Sequence, residues 1–239
     1  MHPVHKKRLL ALSAAAYFAA AYYVIPGLWK RHERRIDPEP NLLVTRTAQG
    51  IPGDPLNVGL VGSEFEIVQA LTAARGYPAD RTTVRSSLKI VASVALRRPY
   101  PSAPVSPLYY DGRRQDLAFE SEVGHSASQR HHIRLWRMAE TRGDGRDVWF
   151  GSVSFDRGVG LSHDTGQITH HIDPDLDAER TYLMATLQQA GALASSSQRP
   201  GIGATTTGRN GGGDPYFTDG QMTIGVLSPG YTAPAKTKK

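Results

Sequence analysis

Apolar residues change their spacing several times along this chain, and each change marks a different kind of element. From Leu9 to Trp29 the run LLALSAAAYFAAAYYVIPGLW carries no charge and has no polar face. Its 21 residues rise roughly 1.5 Å each, about what a hydrocarbon core requires of a crossing helix. Tyr17, Tyr22, Tyr23 and Trp29 suit headgroup level, and Pro26 with Gly27 should kink or fray the last turn. A cleaved signal peptide is the alternative, with Ala19-Ala20-Ala21 as cleavage site; apolar residues continuing past that site favour a retained anchor.

Beyond the anchor, residues 36–55 are rich in proline and polar residues and read as a linker running into a short strand, Leu42 to Thr47. Leu56 to Val61 is a second strand. Ser63 and Glu66 form an S-x-x-E capping box, with Phe65, Val68, Leu71 and Ala74 at helical spacing and Gly76 as the stop. A second helix is predicted from near Thr82, carrying Val84, Leu88, Val91 and Ala95. Pro99 to Pro107 is then an extended loop.

From there the period falls to two. Strands are predicted at Leu108–Tyr110, Asp116–Val123, His131–Met138, Val148–Phe155 and Gln167–Ile172, with tight turns such as Gly143-Asp144-Gly145. A third helix, Leu176 to Ala190, has Leu176, Leu183 and Leu187 as its seam and Asp173 or Asp175 as its cap. Ser195 to Gly213 reads as a mobile Ser/Thr/Gly-rich stretch, Met222 to Leu227 as a last strand, and the tail from Ser228 as disordered. The fold class is therefore α+β: one domain with a mostly antiparallel sheet and about three packed helices, preceded by one transmembrane helix. The chain divides into a basic N-terminus (1–8), the anchor (9–29), a linker (30–44), the folded domain (45–227) and a basic tail (228–239).

Composition narrows the function. Hydrophobic residues make up 39% of the 239, too few for a polytopic membrane protein. With no cysteine, thiol nucleophiles, thiolate metal sites and disulfides are excluded. The net charge of +6 is misleading, because ten of the 28 basic residues lie in three terminal clusters, leaving 18 against 22 acidic residues. That distribution argues against a nucleic-acid partner. Three cations precede the apolar run and four follow it, so charge leaves the side of the folded domain open.

Histidine is the one unusual supply of chemistry. Six of nine fall between His125 and His171, four of them as the pairs His131-His132 and His170-His171. Adjacent strand residues face opposite ways, so each pair is split between an apolar and a polar side. On this reasoning His132 shares a polar face with Arg134, and His171 shares one with Asp173. If the two strands are near each other, His132, His171 and Asp173 form a candidate divalent-metal site, with His163 or Glu120 to complete the shell or act as base. A bound water of lowered pKa would then hydrolyse a phosphoester. A buried hydrogen-bond network without metal, and a metal-free acid–base or phosphate-binding site, remain open alternatives. Arg113, Arg114 and Asp116 fit a turn-locking ion pair better than a phosphate grip. Asp156 and Arg157 fit a turn, and Asp173, Asp175, Asp177 and Glu179 fit a helix start. Gly211-Gly212-Gly213 lacks the lysine and helix of a phosphate loop.

The stretches Thr45–Ser63, Ser106–Glu120, Arg130–Trp136 (RHHIRLW), Phe155–Arg180 (with THHIDPD) and Gly212–Gly220 together resemble the LssY C-terminal domain family. The resemblance covers about Thr45 to Leu227. It implies an association with integral-membrane modules of the DedA type and the type 2 phosphatidic acid phosphatase type, and no defined biochemical activity. None of the phosphatase signature residues is here to receive that activity. The expectation is a single-pass protein of the bacterial inner membrane acting as an accessory or binding domain in phospholipid or lipid-carrier metabolism. The alternative is a metal-dependent hydrolase drawing on His132, Arg134, His163, His171 and Asp173.

Overall fold

The computed structural model describes residues 3–36, 43–74, 77–78, 106–123, 129–201 and 206–234. The helix predicted from Thr82 and His125 lie outside the described residues. The apolar run is helical as expected, but it neither frays nor ends at Pro26. Helix α1 (Pro3–Ala19) passes through a π-turn (Ala20–Val24) into α2 (Ile25–Ile36). Proline lacks an N–H and crowds the carbonyl four residues back; the wider turn just before Pro26 accommodates it without breaking the helix. His5–Trp29 is long and apolar enough to cross a membrane, and only 11% of its most apolar window is buried against the protein. That exposure distinguishes it from a core helix.

Fourteen strands and two more helices form the folded domain among the described residues. The strands are β1 (Val44–Thr47), β2 (Pro52–Pro55), β3 (Val58–Val61), β4 (Tyr77–Pro78), β5 (Leu108–Tyr110), β6 (Arg113–Arg114) and β7 (Leu117–Glu122). They continue with β8 (Arg130–Thr141), β9 (Asp147–Leu161), β10 (Ile168–Ile172), β11 (Leu193–Pro200), β12 (Thr207–Arg209), β13 (Pro215–Phe217) and β14 (Gln221–Leu227). The helices are α3 (Glu64–Ala73) and α4 (Leu176–Gln189). An eight-stranded sheet runs β11-β14-β3-β9-β8-β7-β4, with β10 added to the far half of β9. A four-stranded sheet, β2-β1-β5-β6, and the β12-β13 ribbon complete the domain. Pairing is antiparallel throughout except β14 with β3, which is parallel.

Two expected loops are strands. Pro52–Pro55 pairs with β1, and of the stretch read as mobile, residues 195–200 pair with β14 and Thr207–Arg209 with β13, while residues 202–205 lie outside the described residues. Short polar side chains hid β11 because it is an edge strand with little to bury. The stretch from Ser228 is likewise ordered where it is described: Gly230 N donates to Glu66 and the Tyr231 hydroxyl to the Ala190 carbonyl.

The two faces of the large sheet differ in chemistry. On one, Ile133, Leu135, Phe119 and Val153 meet Ile67 and Leu71 of α3 and Leu183 and Leu187 of α4 in the main core. The stripe on α3 is rotated from the predicted one, since Phe65 is exposed while Ile67 and Ala70 are buried. Ser63 caps α3 with the reciprocal Glu66 bond, and Asp175, not Asp173, caps α4. The opposite face carries Arg130, His132 and Arg134 from β8 beside Asp156, Ser154 and Ser152 from β9, paired residue for residue. All six are buried. The four-stranded sheet closes over this face, helped by a smaller core of Leu56, Leu108, Trp136 and Met222. Burying so many polar groups costs stability unless each finds a partner, so this face is where chemistry belongs.

Candidate metal centre

The polar face opens into a cavity of about 260 Å³ lined by Asp54, His132, Arg134, Ser154, Asp156 and His170 among others. Register decides which side chains enter it. Arg130 lies opposite Asp156 and His132 opposite Ser154, so His132 and Asp156 are diagonal neighbours on one face. Strand β9 does not end at Phe155 but continues to Leu161, and β10 pairs with this extension. A bulge between His171 and Ile172 sets Ile172 opposite Asp156, and His170 turns towards the Asp156 carboxylate.

The result is a cluster of His132 Nε2, Asp156 Oδ2 and His170 Nδ1, all within 4.8 Å of one another. His132 Nε2 is 2.6 Å from Asp156 Oδ2, and His170 Nδ1 contacts the same oxygen. Yet among the described residues neither ring nitrogen of His132, buried as it is, has an aligned hydrogen-bond partner. Burial pushes the His132 imidazole below its usual range, outweighing the attraction of Asp156. For Asp156, burial acts upward, but contact with His132 and His170 more than offsets it and holds the carboxyl well below the usual carboxylate range. A neutral imidazole and an ionised carboxylate converging on one point form the donor set of a borderline divalent cation such as zinc, manganese or iron(II).

Next to this cluster, Asp54 Oδ2 accepts from Arg134 Nη1 at 3.2 Å and from the Ser154 hydroxyl at 3.3 Å. Burial raises the Asp54 carboxyl, and Arg134 pulls it the other way. Arg134 also donates from Nε to the Ser106 carbonyl, while its Nη2 makes no hydrogen bond among the described residues. This places a guanidinium on the cavity wall beside the cluster, where it can meet a phosphoryl group.

A second cluster lies on the other side of β10. His171 Nδ1 is 2.7 Å and His163 Nε2 is 3.5 Å from Asp214 Oδ1. Asp214 is fixed by a turn in which Asn210 Oδ1 accepts from the amides of Gly212 and Asp214, so the glycine run shapes a turn and not a phosphate loop.

The residues expected to meet are therefore not brought together as a set. His132 joins Asp156 and His170, His171 joins Asp214 and His163, and Asp173 Oδ1 accepts from the Asp175 amide ahead of α4. The expected trio assumed that the member of the second pair facing the first cluster was His171; the register places His170 there. Glu120 is taken by Arg130 at 2.7 Å. Arg134 does line the cavity. His131 binds Glu179 and stacks on Tyr182. Arg113 pairs with Asp116 at a hairpin, as a turn lock would. Asp156 and His170 were the residues missed. The usable signal was the apolar alternation of Val159 and Leu161, which extends β9 past Asp156.

Residues 36–222 match the family described as LssY C-terminus. The chain belongs to the LssY C-terminal family. The match covers the folded domain up to the start of β14 and leaves out the body of the N-terminal helix. Both metal-like clusters and the whole cavity wall of this LssY C-terminal domain fall inside it. No curated protein and no solved structure matches the chain.

Proposed function

We propose that this LssY C-terminal protein is a membrane-anchored, divalent-metal-dependent hydrolase of phosphoesters, acting at the bacterial inner membrane on phospholipid or lipid-carrier chemistry. The observation that carries the reading is the convergence of His132 Nε2, Asp156 Oδ2 and His170 Nδ1 in an open cavity with Arg134 on its wall. Three protein ligands leave coordination positions for water and substrate. His132, Asp156 and His170 would hold the metal, which would supply a water of lowered pKa as nucleophile towards phosphorus, the ester P–O bond breaking as the new O–P bond forms and the leaving alkoxide taking the proton. Arg134 on the cavity wall would offset charge on the phosphoryl oxygens.

A second reading is a non-catalytic domain that holds a phosphorylated lipid for an integral-membrane partner of the DedA type or lipid-phosphatase type. The engagement of Asp54 by Arg134 and Ser154 favours it, because the nearest additional carboxylate is already committed.

One series of measurements separates the two. Metal content is measured on the detergent-purified chain before and after chelation, followed by turnover of p-nitrophenyl phosphate and of phospholipid vesicles. Stoichiometric metal with turnover abolished in Asp156→Asn supports the hydrolase. Stoichiometric metal without turnover supports the binding domain. A chain that takes up no zinc, manganese or iron overturns the metal centre and the hydrolase with it.

A further inference from the structure

The loop joining β9 to β10 is bonded to the membrane helix itself. The Tyr17 hydroxyl donates to the Gly166 carbonyl, Gln167 Nε2 donates to the Ala21 carbonyl at 2.9 Å, and the Ile168 amide donates to the Tyr22 hydroxyl at 3.3 Å. Ala21, in the π-turn, is buried at this contact, and Pro26 is buried one turn further on, in a helix that is exposed over residues 9–19. The contact lies towards the middle of His5–Trp29, not at its end. Between Arg8 and Tyr17 only Leu9 to Ala16 remain, about 12 Å at roughly 1.5 Å per residue. A bilayer whose hydrocarbon is about 30 Å thick cannot be fitted into that interval. Any bilayer that covers the apolar helix must also reach the turn.

Leu161 and Ile168 are the register partners that flank the hairpin turn, residues 162–167, and are 54% and 60% exposed, an apolar pair at the surface. Backbone polar groups in hydrocarbon must be satisfied internally, and the Gly166 and Ile168 backbone groups are satisfied by anchor tyrosines. The same hairpin supplies Ser162, Thr165, Gln167, Ile168, Thr169 and His170 to the cavity wall.

We propose that the β9–β10 tip is a second membrane-contacting element, dipping into the bilayer beside the anchor through Leu161 and Ile168. The cavity then opens at the lipid headgroup layer, so its occupant is a bilayer lipid headgroup entering from the side and not a solute arriving from bulk water. The surface stands on the anchor contacts alone and does not depend on a metal at His132, Asp156 and His170.

The absence of cysteine makes the test direct. Single variants Leu161→Cys, Ile168→Cys and, as control, the exposed Phe65→Cys on α3 are labelled with an environment-sensitive fluorophore in the full chain. The chains are reconstituted in phosphatidylglycerol/phosphatidylethanolamine vesicles with or without lipids carrying a nitroxide on the acyl chain. The expected result is blue-shifted emission and severalfold quenching at 161 and 168 with neither at 65. Emission at 161 and 168 matching that at 65 overturns the proposal. A blue shift without lipid quenching also overturns it, since a protein partner or second copy would then cover the tip. Zinc and manganese uptake is measured on the same labelled full-length chains. Metal lost together with an unquenched tip label in the full chain would sink both readings, whereas metal lost with a quenched label sinks only the hydrolase.

Discussion

His132 Nε2 stands 2.6 Å from Asp156 Oδ2 without hydrogen-bond alignment, and this one relationship defines the centre of the domain. Two lone-pair-bearing atoms that close repel unless a proton or a cation lies between them, and in the proposed metal centre both would be ligands of the cation. Replacing Asp156 by Asn should therefore cost at least about 100-fold in zinc or manganese affinity, more than the loss usual for a partner one step removed from the metal. Isothermal titration of the chelated chain checks this, and unchanged affinity would remove Asp156 from the ligand set.

Glu66 makes acid stability a local property. Its carboxylate accepts from the amides of Ser63 and Gly230 and from Arg146 Nη2. Burial acts to raise it, but these bonds together hold it below the ordinary 4.5. Its stabilising contribution is thus fully present above the unfolded-state value and is lost as pH falls through the lower folded-state value. Glu66→Gln should lower stability by about 0.5–2 kcal/mol at pH 7 and flatten the acid limb of the denaturation midpoint between about pH 5 and 2. An acid limb as steep as that of the parent chain would contradict the assignment.

Asn57 replaces a stretch of strand ladder. Its Oδ1 accepts from the Val153 amide at 2.9 Å and its Nδ2 donates to the Val153 carbonyl at 3.0 Å, all of it buried. Asn57→Ala leaves both backbone groups of a core residue unpaired and should destabilise by about 2–4 kcal/mol. Asn57→Asp keeps the acceptor but sets a buried carboxylate oxygen against the Val153 carbonyl, so at about pH 7 urea denaturation should find it no more stable than Asn57→Ala.

Gly160 leaves room for an imidazole. A Cβ there would stand 2.5 Å from His171 Nε2, so Gly160→Ala must swing the ring away from Asp214. The expected cost is about 1–3 kcal/mol, with nitrogen chemical shifts of His171 moving while those of His170 stay in place. Equal movement at both rings would mean that the two clusters are coupled.

Much of the fold is legible locally. The Ser63–Glu66 capping box, the Leu176–Leu183–Leu187 seam and the β8 alternation are short-range patterns, and each is found where its spacing put it. Edge strands were not legible. β2 consists of Pro-Gly-Asp-Pro and β11 is largely serine and other polar residues, and their pairing partners lie far along the chain. The site was half legible. The split of each histidine pair across a strand was readable, whereas which half of each pair meets the other was not.

Taken alone, the sequence determined that an uncharged helix precedes an α+β domain, and that histidine and carboxylate, never thiol, carry its chemistry. Only the tertiary structure decided that His170 and Asp156, not His171 and Asp173, meet His132, and that the β9–β10 tip is tied to the anchor. The reason is register: side chains alternate with period two, and a single bulge at His171/Ile172 changes which one enters the cavity. That choice is set by pairing between distant strands, and no local pattern encodes it.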